Sequence, residues 1–362
     1  MKRIIREIEL IPKIIGYNFF KKIGHPNLLP IILTLSVNDY CNSRCKTCNI
    51  WKNDIIKKRR EELKLEEYEK IFENFDRIYW VTITGGEPFL RSDLPEIIKI
   101  IYKRTKPKVI SLATNGILTK KIVSDTKKIL NSCPKLNLII NLSLDGIGRQ
   151  HDKIRGVKGC FNSVINTFKL LKKIKDKRLI IGINTVISRY NIESFFEIHK
   201  FVKKLNPDSF IVEIAENRAK LYNLDLRIVP KREKIKPILN FLIKENMKRK
   251  GISKLIKKLR REYYYFLLHK NSFTKKFQNF EGIASCYIMS NGEVWVSYVK
   301  RYVIGNLRDV NYDFKSIWFN KKAEKYRKIM EKNYSTTLAN AFYTNFICNL
   351  NHFWKIVKIV VI

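Results

Sequence analysis

Three cysteines lie within eight positions of this chain, in the segment Cys41-Asn-Ser-Arg-Cys45-Lys-Thr-Cys48. Thiolates are the usual protein ligands of iron–sulfur clusters. Three thiolates on one short loop can hold only three irons of a 4Fe–4S cubane, which leaves the fourth iron with an open position. Open positions are typical of catalytic metal centres, whereas structural sites are closed by protein ligands. The spacing therefore predicts a cluster that can bind a further ligand.

Two other uses of these thiols remain open, a structural zinc site and a redox Cys-x-x-Cys pair. Structural zinc usually takes four ligands in two separated pairs, and no other Cys or His lies between residues 26 and 132. Seven cysteines in 362 residues do not suggest a disulfide framework, and they favour a reducing compartment. We interpret Cys133 and Cys160 as buried or incidental thiols.

Strand-like and helix-like segments alternate from about residue 31 onward. The strand patterns lie at 31–37, 78–84, 109–113, 138–144, 179–187 and 210–214, and the segments between them have apolar residues at helical spacing. This alternation predicts an α/β fold with a parallel sheet. Ligands bind at the carboxyl ends of strands in such sheets, so residues that follow the strands should converge on one rim.

Motifs suited to ligand binding follow three of these predicted strands. They are Thr84-Gly85-Gly86-Glu87-Pro88, Ala113-Thr114-Asn115-Gly116, and Ser143-Leu144-Asp145-Gly146 with His151-Asp152-Lys153-Ile154-Arg155-Gly156 behind it. Glycines let a backbone approach a ligand closely. Carbonyls and a carboxylate suit an ammonium group, and a guanidinium suits a carboxylate. We interpret Asp145 as a turn residue and do not assign His151 as a base.

The Cys-x3-Cys-x2-Cys spacing resembles the signature of the radical SAM superfamily, whose members cleave S-adenosylmethionine (SAM). Residues 85–88 resemble its GGEP motif. Residues 143–156 resemble the SLDG…HDxIRG segment of the branch with peptide-modifying and sulfatase-maturing enzymes and the molybdopterin-pathway cyclase. The resemblance covers about residues 31–215 and implies a partial (β/α)6 TIM-like barrel with a small α+β C-terminal extension.

The resemblance also implies a cofactor and its ligands. One 4Fe–4S cluster would be bound by Cys41, Cys45 and Cys48 and by exchangeable SAM. The SAM-binding residues that it implies are Gly85, Gly86, Glu87, Pro88, Asn115, Ser143 and Arg155. Residues 85–88 would bind the amino group, Ser143 and Arg155 the carboxylate, and Asn115 the ribose or the substrate. Many members carry an aromatic residue before the third cysteine, where this chain has Thr47, so Ile50 or Trp51 would pack on the adenine beside residues 186–188.

The implied reaction begins with one electron from a ferredoxin or flavodoxin type of donor. SAM is cleaved to methionine and a 5′-deoxyadenosyl radical, which removes hydrogen from a peptide or small-molecule substrate. The cofactors carry this chemistry, and the protein supplies positioning and exclusion of water. Peptide or protein modification is the favoured substrate class. The alternatives are a lipid- or RNA-modifying enzyme, and a non-catalytic iron–sulfur protein on a decayed enzyme scaffold.

The sequence predicts three regions: an amphipathic helical segment at 1–30, the core domain at 31–235, and a basic helical segment with an extension at 236–362. Cys286 begins a hairpin with a strong Asn291-Gly292 turn signal, which resembles the SPASM or twitch extension of the family. The second cysteine of that hairpin is replaced here by Val296-Ser297, and only Cys348 follows. We therefore expect a degenerate extension without a complete auxiliary cluster.

The net charge of +39 is extreme. Such a charge attracts an anionic membrane surface or a nucleic acid. Coding bias with a solvated basic surface is the favoured explanation, because Lys, Ile and Asn are all abundant. Charges interrupt every apolar run near the start, and no stretch approaches the ~20 apolar residues of a membrane span. The sequence predicts a cytoplasmic protein, with membrane-surface association as an alternative.

Overall fold

The computed structural model describes residues 10–23, 28–248, 254–269, 278–332 and 337–350. Residues 1–9 and 24–27 of the predicted N-terminal helical segment lie outside these ranges, as does the tail with His352. The strands are β1 Ile32–Ser36, β2 Trp80–Thr84, β3 Val109–Thr114, β4 Asn137–Ser143, β5 Leu179–Ile187, β6 Ser209–Ile214, β7 Ser285–Ile288, β8 Glu293–Trp295 and β9 Val303–Asn306. The α-helices up to β6 are α1 Ile11–Ile23, α2 Ile55–Glu61, α3 Leu65–Glu73, α4 Leu94–Thr105, α5 Thr119–Ser132, α6 Arg149–Arg155, α7 Cys160–Lys172 and α8 Phe195–Leu205. The later ones are α9 Arg232–Lys248, α10 Lys254–Leu268, α11 Phe314–Trp318, α12 Lys321–Lys332 and α13 Ala339–Cys348.

Strands β1 to β6 form a parallel sheet in sequence order, with helices between successive strands. This arrangement confirms the predicted α/β fold with a partial TIM-like barrel. The register places Ser36 beside Thr84 and Ser143 beside Asn184. The carboxyl ends of neighbouring strands therefore lie side by side, and the loops that follow them share one rim.

Side-chain alternation along the strands separates a packed outer face from a polar inner face. On β4, Leu138, Ile140 and Leu142 are fully buried and belong to the same core as Ile129 of α5 and Phe168 of α7. Each such aliphatic side chain contributes roughly 1.5–3 kcal/mol when it is removed from water. The intervening positions, which include Asn141 and Ser143, are only partly buried. The strand period of two thus turns polar side chains toward the inside of the barrel.

The C-terminal hairpin continues the same sheet beyond β1. Strand β7 pairs in parallel with β1, and Cys286 lies opposite Leu33. Strands β8 and β9 then add antiparallel neighbours, which gives nine strands in the order β6-β5-β4-β3-β2-β1-β7-β8-β9. Gly292, at the predicted Asn-Gly turn, has a φ of +86°, in the left-handed region that favours glycine. Strand β1 is consequently an interior strand with a partner on each side.

Two local features differ from what apolar spacing predicts. A single helix is expected over residues 314–332, but the chain forms α11 and α12 with a break at Phe319 and Asn320. The Asn320 side chain accepts a hydrogen bond from the backbone N–H of Ala323 at 2.7 Å, so it caps the second helix. Apolar spacing also does not indicate α6, which buries only His151 and Ile154. No helix in the described part of the chain is long and apolar enough to cross a membrane.

Candidate active site

The carboxyl ends of the parallel strands surround an open cavity of about 190 Å³. Its lining consists of Cys41, Ser43, Cys45, Thr47, Cys48, Ile50, Trp51, Thr84, Gly85, Gly86, Glu87, Ala113, Thr114, Asn115, Ser143, Asp145, Arg155, Val186 and Leu221. The cavity thus collects the three cysteines and every predicted SAM-binding residue except Pro88. Pro88 lies one residue behind the wall, where it begins the short helix Pro88–Leu90 and is buried.

The sulfur of each cysteine in the triad accepts a hydrogen bond. The backbone N–H of Ser43 donates to Cys41 at 3.3 Å, and that of Ile50 donates to Cys48 at 3.5 Å. The sulfur of Cys45 accepts from Nη1 of Arg155 at 3.7 Å. Donors of this kind stabilise negative charge on sulfur, and they are one of the features that set the reduction potential of an iron–sulfur cluster.

Burial governs the protonation of these three thiols. It raises the pKa of Cys41 to about 12 and that of Cys48 to about 11, and it also raises the pKa of Cys45. The Glu87 carboxylate adds to the rise at Cys41, whereas the Arg155 guanidinium opposes it at Cys45. The metal-free thiols are therefore protonated at neutral pH, and metal binding must release protons.

The donor set of the triad fits a 4Fe–4S cluster. In the described ranges, no three His, Cys, Asp or Glu side chains converge on a point where one ion could be held. In a cubane, each thiolate binds a different iron. Three hydrogen-bonded thiols around an open cavity therefore fit a 4Fe–4S cluster, and Cys41, Cys45 and Cys48 are the residues that would hold it.

Gly85 and Gly86 are required by the cysteine loop itself. A Cβ atom on Gly86 would lie 1.9 Å from the carbonyl oxygen of Tyr40, and one on Gly85 would lie 2.2 Å from Oδ1 of Asn38. Asn38 holds the segment by accepting from the Gly86 N–H at 2.9 Å and donating to the Glu87 carbonyl at 2.7 Å. The sequence motif predicts a close approach to a ligand, and the observed close approach is to the neighbouring loop. No sequence motif indicates this role of Asn38.

The Glu87 carboxylate connects the ends of β2 and β3. It accepts from the Thr114 hydroxyl at 2.8 Å and from the backbone N–H groups of Asn115 at 2.7 Å and Phe89 at 3.2 Å. Only 1% of the residue is exposed, and burial raises its pKa to about 7 against the opposing effect of these hydrogen bonds. Both carboxylate oxygens of Glu87 are therefore engaged by protein donors. The backbone of residues 85–88 is thus a better candidate than this carboxylate for contact with an ammonium group.

The Asn115 side chain faces the cysteine loop. Its Nδ2 donates to Oδ1 of Asn42 at 2.7 Å and to the hydroxyl of Ser43 at 3.0 Å, and it lies 3.8 Å from the sulfur of Cys41. These contacts make Asn115 a support for the loop that carries the triad. The sequence assigns Asn115 to ribose or substrate, and that role remains a prediction.

Arg155 forms a buried ion pair with Asp145, and its Nη2 lies 2.7 Å from Oδ2 of Asp145. The other carboxylate oxygen of Asp145 accepts from the Val186 N–H at 2.8 Å. The interpretation of Asp145 as a turn residue is therefore incomplete, because its side chain holds a cation beside the cavity. Within the described chain, Nε of Arg155 is buried without a hydrogen-bond partner.

His151 accepts from the Asp145 N–H, and burial lowers its pKa to about 3, which leaves it neutral.

Two backbone contacts tie α6 to the cysteine loop, and neither could be inferred from sequence spacing. The N–H groups of Arg44 and Lys46 donate to the carbonyls of Arg155 and Ile154, each at 2.9 Å. Gly156 ends α6 with a φ of +68°, and a Cβ atom there would lie 2.3 Å from the carbonyl oxygen of Arg44. Glycine is therefore required at this position by both conformation and space.

The cavity lining includes four large apolar side chains. They are those of Ile50, Trp51, Val186 and Leu221. Nε1 of Trp51 donates to the carbonyl of Cys48 at 2.9 Å, so the indole is fixed against the loop. An adenine ring requires apolar contacts of this kind, and Ile50, Trp51 and Val186 are among the residues predicted to lie beside it.

The four cysteines outside the triad are all buried. Cys286 lies on β7 within the main core, and Cys348 ends α13 within an apolar cluster that includes Tyr17 and Phe280. Burial raises the pKa of both thiols. Cys160 donates to Oδ1 of Asp152 at 3.3 Å. Each of these thiols thus occupies a packed position, and the predicted absence of a complete auxiliary cluster remains a prediction.

Residues 35–202 match the model of the radical SAM superfamily, so the chain contains a radical SAM domain. Its relatives include the Fe-coproporphyrin III synthase of Methanosarcina barkeri, 26% identical over 55% of this chain and 48% of the synthase. The GTP 3′,8-cyclase of Aquifex aeolicus is 30% identical over 51% of this chain and 57% of the cyclase. The chain thus spans about half the length of these curated relatives.

The fold is similar to that of SuiB from Streptococcus suis, solved bound to S-adenosylmethionine. The TM-score is 0.61 at 17% identity, and the match covers 86% of this chain and 70% of SuiB. SuiB has also been solved with its precursor peptide SuiA, at a TM-score of 0.54 and 16% identity. At this level of identity the similarity supports the fold alone.

Proposed function

We propose that this protein is a radical SAM enzyme that cleaves SAM reductively at a 4Fe–4S cluster bound by Cys41, Cys45 and Cys48. The single observation that carries the proposal is the shared cavity, in which the three thiols lie beside Gly86, Ser143 and Arg155. When bound, the cluster supplies the electron that converts SAM to methionine and a 5′-deoxyadenosyl radical, which removes hydrogen from the substrate. A ferredoxin or flavodoxin type of protein is the proposed electron donor.

The residues of this chain supply binding and orientation. Arg155, held by Asp145, presents a cation to the SAM carboxylate together with the Ser143 hydroxyl. The backbone of Gly85 and Gly86 presents carbonyl groups to the SAM ammonium group. The apolar side chains of Ile50 and Trp51 receive the adenine and exclude water from it. Each of these contacts pairs a group of SAM with a chemically complementary group on the cavity wall.

For the substrate, peptide or protein modification is the favoured class. Its support is the similarity in fold to SuiB, a protein solved with a peptide. A small-molecule substrate is the second candidate, because the named relatives are a coproporphyrin synthase and a GTP cyclase. We further propose a cytoplasmic location. Binding to an anionic membrane or to RNA rests on the charge of +39 alone.

The test is anaerobic reconstitution of the full chain with iron and sulfide, followed by reduction in the presence of SAM. We expect about four irons per chain and formation of 5′-deoxyadenosine. The triple variant C41A/C45A/C48A should bind almost no iron and form no 5′-deoxyadenosine. C133A is the matched control, because it removes a buried thiol outside the cavity and should behave like the wild type.

Two results would contradict the proposal. Formation of 5′-deoxyadenosine by the triple variant would refute the assignment of the cluster to the triad. A wild-type protein that binds the cluster but never cleaves SAM would support the non-catalytic iron–sulfur alternative. An iron content near eight would instead contradict only the expectation of a single cluster, and the double variant C286A/C348A would then show whether those thiols hold the additional iron.

A further inference from the structure

Lys220 is a buried lysine in a chain whose other lysines are mostly solvated. Only 1% of the residue is exposed, although it lies in a short helix, Ala219–Leu221, after β6. Lysine is almost never fully buried unless it is paired. Its ammonium group donates to Oδ1 of Asp39, which precedes the first cysteine of the triad by two residues. The chain that follows β6, an edge strand of the sheet, thus places a cation beside the start of the cysteine loop.

Asp39 is held by other donors as well, so its position is well defined. Its Oδ2 accepts from the Tyr222 hydroxyl at 2.6 Å and from Nδ2 of Asn53 at 3.1 Å. Nδ2 of Asn53 also donates to the backbone carbonyl of Asp39 at 2.8 Å. Lys220 is therefore one of three side chains that converge on this carboxylate, and it is the one that carries charge.

The segment that contains Lys220, residues 220–223, also contacts the other end of the cysteine loop. Nδ2 of Asn223 donates to the carbonyl of Thr47 at 2.8 Å, and the N–H of Asn49 donates to the carbonyl of Leu221 at 2.9 Å. Thr47 and Asn49 flank Cys48, and Leu221 lines the cavity. Residues 220–223 therefore hold the segment from Asp39 to Asn49 at both of its ends.

The position of Lys220 matters because the proposed cluster is anionic. Three thiolates contribute three negative charges, and reduction adds a further one. Cations beside a cluster favour the reduced form, since net charge and hydrogen bonding are among the features that set cluster potentials. Arg155 provides one cation at Cys45. On the other side, Lys220 precedes Leu221, whose carbonyl accepts from the N–H of Asn49 next to Cys48.

Stability alone gives a weak reason for this ion pair. Replacing a buried ion pair with uncharged side chains of similar volume is often neutral or stabilising. A role at the neighbouring site explains why charge is placed here. We propose that Lys220 is a positioning residue for the cluster, which fixes the cysteine loop through Asp39 and neutralises that carboxylate, so that its negative charge does not add to that of the cluster. This inference rests on the proposed function, because it requires a cluster at the triad.

The experiment compares the midpoint potential of the cluster in the wild type, K220M, D39N and Y222F. Each full-length protein is reconstituted anaerobically, its iron is counted, and the cluster is titrated reductively without SAM while the reduced signal is followed by electron paramagnetic resonance. K220M should shift the potential to a more negative value, because it removes the cation and leaves Asp39 unpaired. D39N should shift it to a less negative value, because it leaves the cation without its counter-charge.

Y222F is the matched control, since it removes a hydrogen bond to the same carboxylate without changing charge. Its potential should equal that of the wild type. Damage to folding alone would lower iron content without producing shifts of opposite sign. An unchanged potential in iron-loaded K220M would overturn the proposal. If K220M does not fold, D39N tests the proposal by itself, and a D39N potential equal to that of the wild type would overturn it. A wild type that binds no cluster would overturn the proposed function as well.

Discussion

Nη2 of Arg155 lies 2.7 Å from Oδ2 of Asp145, and this ion pair joins the end of α6 to the loop after β4. The same guanidinium donates to the sulfur of Cys45 at 3.7 Å. Asp145 in turn accepts from the backbone of Val186 at the end of β5. One arginine thus connects the cysteine loop to two neighbouring strand ends, so that the orientation of a cluster ligand depends on the rim of the barrel.

Replacing Arg155 with Met should therefore affect both stability and binding. Breaking a buried ion pair by removing one partner costs about 3–5 kcal/mol, because the remaining charge is unpaired. R155K keeps a charge but loses the planar fork of donors, and we expect SAM affinity to fall by about tenfold or more. Urea unfolding measures the first effect, and equilibrium dialysis of reconstituted protein with SAM measures the second. An R155M protein as stable as the wild type would contradict the role of the ion pair.

Gly86 has no space for a side chain. In G86A, the new Cβ would meet the Tyr40 carbonyl at 1.9 Å, so the backbone of the cysteine loop must move. We expect a loss of about 1–3 kcal/mol in stability and of most of the reconstituted iron. G305A is the control, because its Cβ would meet only the Ile317 side chain, at 3.1 Å, and no backbone of the cysteine loop. Iron content and thermal unfolding of both variants are the measurements, and equal iron content in the two would contradict the prediction.

Burial of Glu281 should make stability depend on pH. Burial raises its pKa from about 4.5 to about 7, although Tyr287 donates to it at 2.7 Å. Between these values the folded state holds a proton that the unfolded state has lost, so the contribution to stability is present below about pH 4.5 and is lost as pH rises through about 7. E281Q removes this effect. The stability of E281Q relative to the wild type should therefore rise by about 1–3 kcal/mol between pH 5 and pH 8, measured by urea unfolding of metal-free protein.

The two glutamates at the end of β6 support the start of α13. Glu213 accepts from the N–H of Ala339 at 3.1 Å, and Glu216 accepts from that of Thr337 at 2.8 Å. Carboxylates at a helix N-terminus satisfy free N–H groups and interact favourably with the helix dipole. E213Q/E216Q should weaken the docking of α13 by about 1–2 kcal/mol, which raises the rate of C-terminal proteolysis roughly 5- to 30-fold. E197Q on the exposed side of α8 is the control and should leave that rate unchanged.

The sequence predicts those parts of the structure that depend on local patterns. Strand and helix periodicity identifies β1 to β6, and the parallel order then requires the motifs after each strand to meet at one rim. The partnership of Asp145 with Arg155 is not predictable in this way, because a short polar residue before glycine is also typical of a turn. Lys220 is harder still, since a lysine in a chain of charge +39 resembles any solvated lysine until its partner is known. Such pairs are created by tertiary packing between distant segments.

The pairing of β1 with β7 affects how the protein assembles. The strand that carries the cysteine loop obtains its second neighbour only from residues 285–288, near the other end of the sequence. During synthesis, β1 therefore presents an open edge to other chains until most of the protein has emerged, and contacts between such distant segments form slowly. Until then, the strand that leads into the cysteine loop lacks one of its two hydrogen-bonded neighbours.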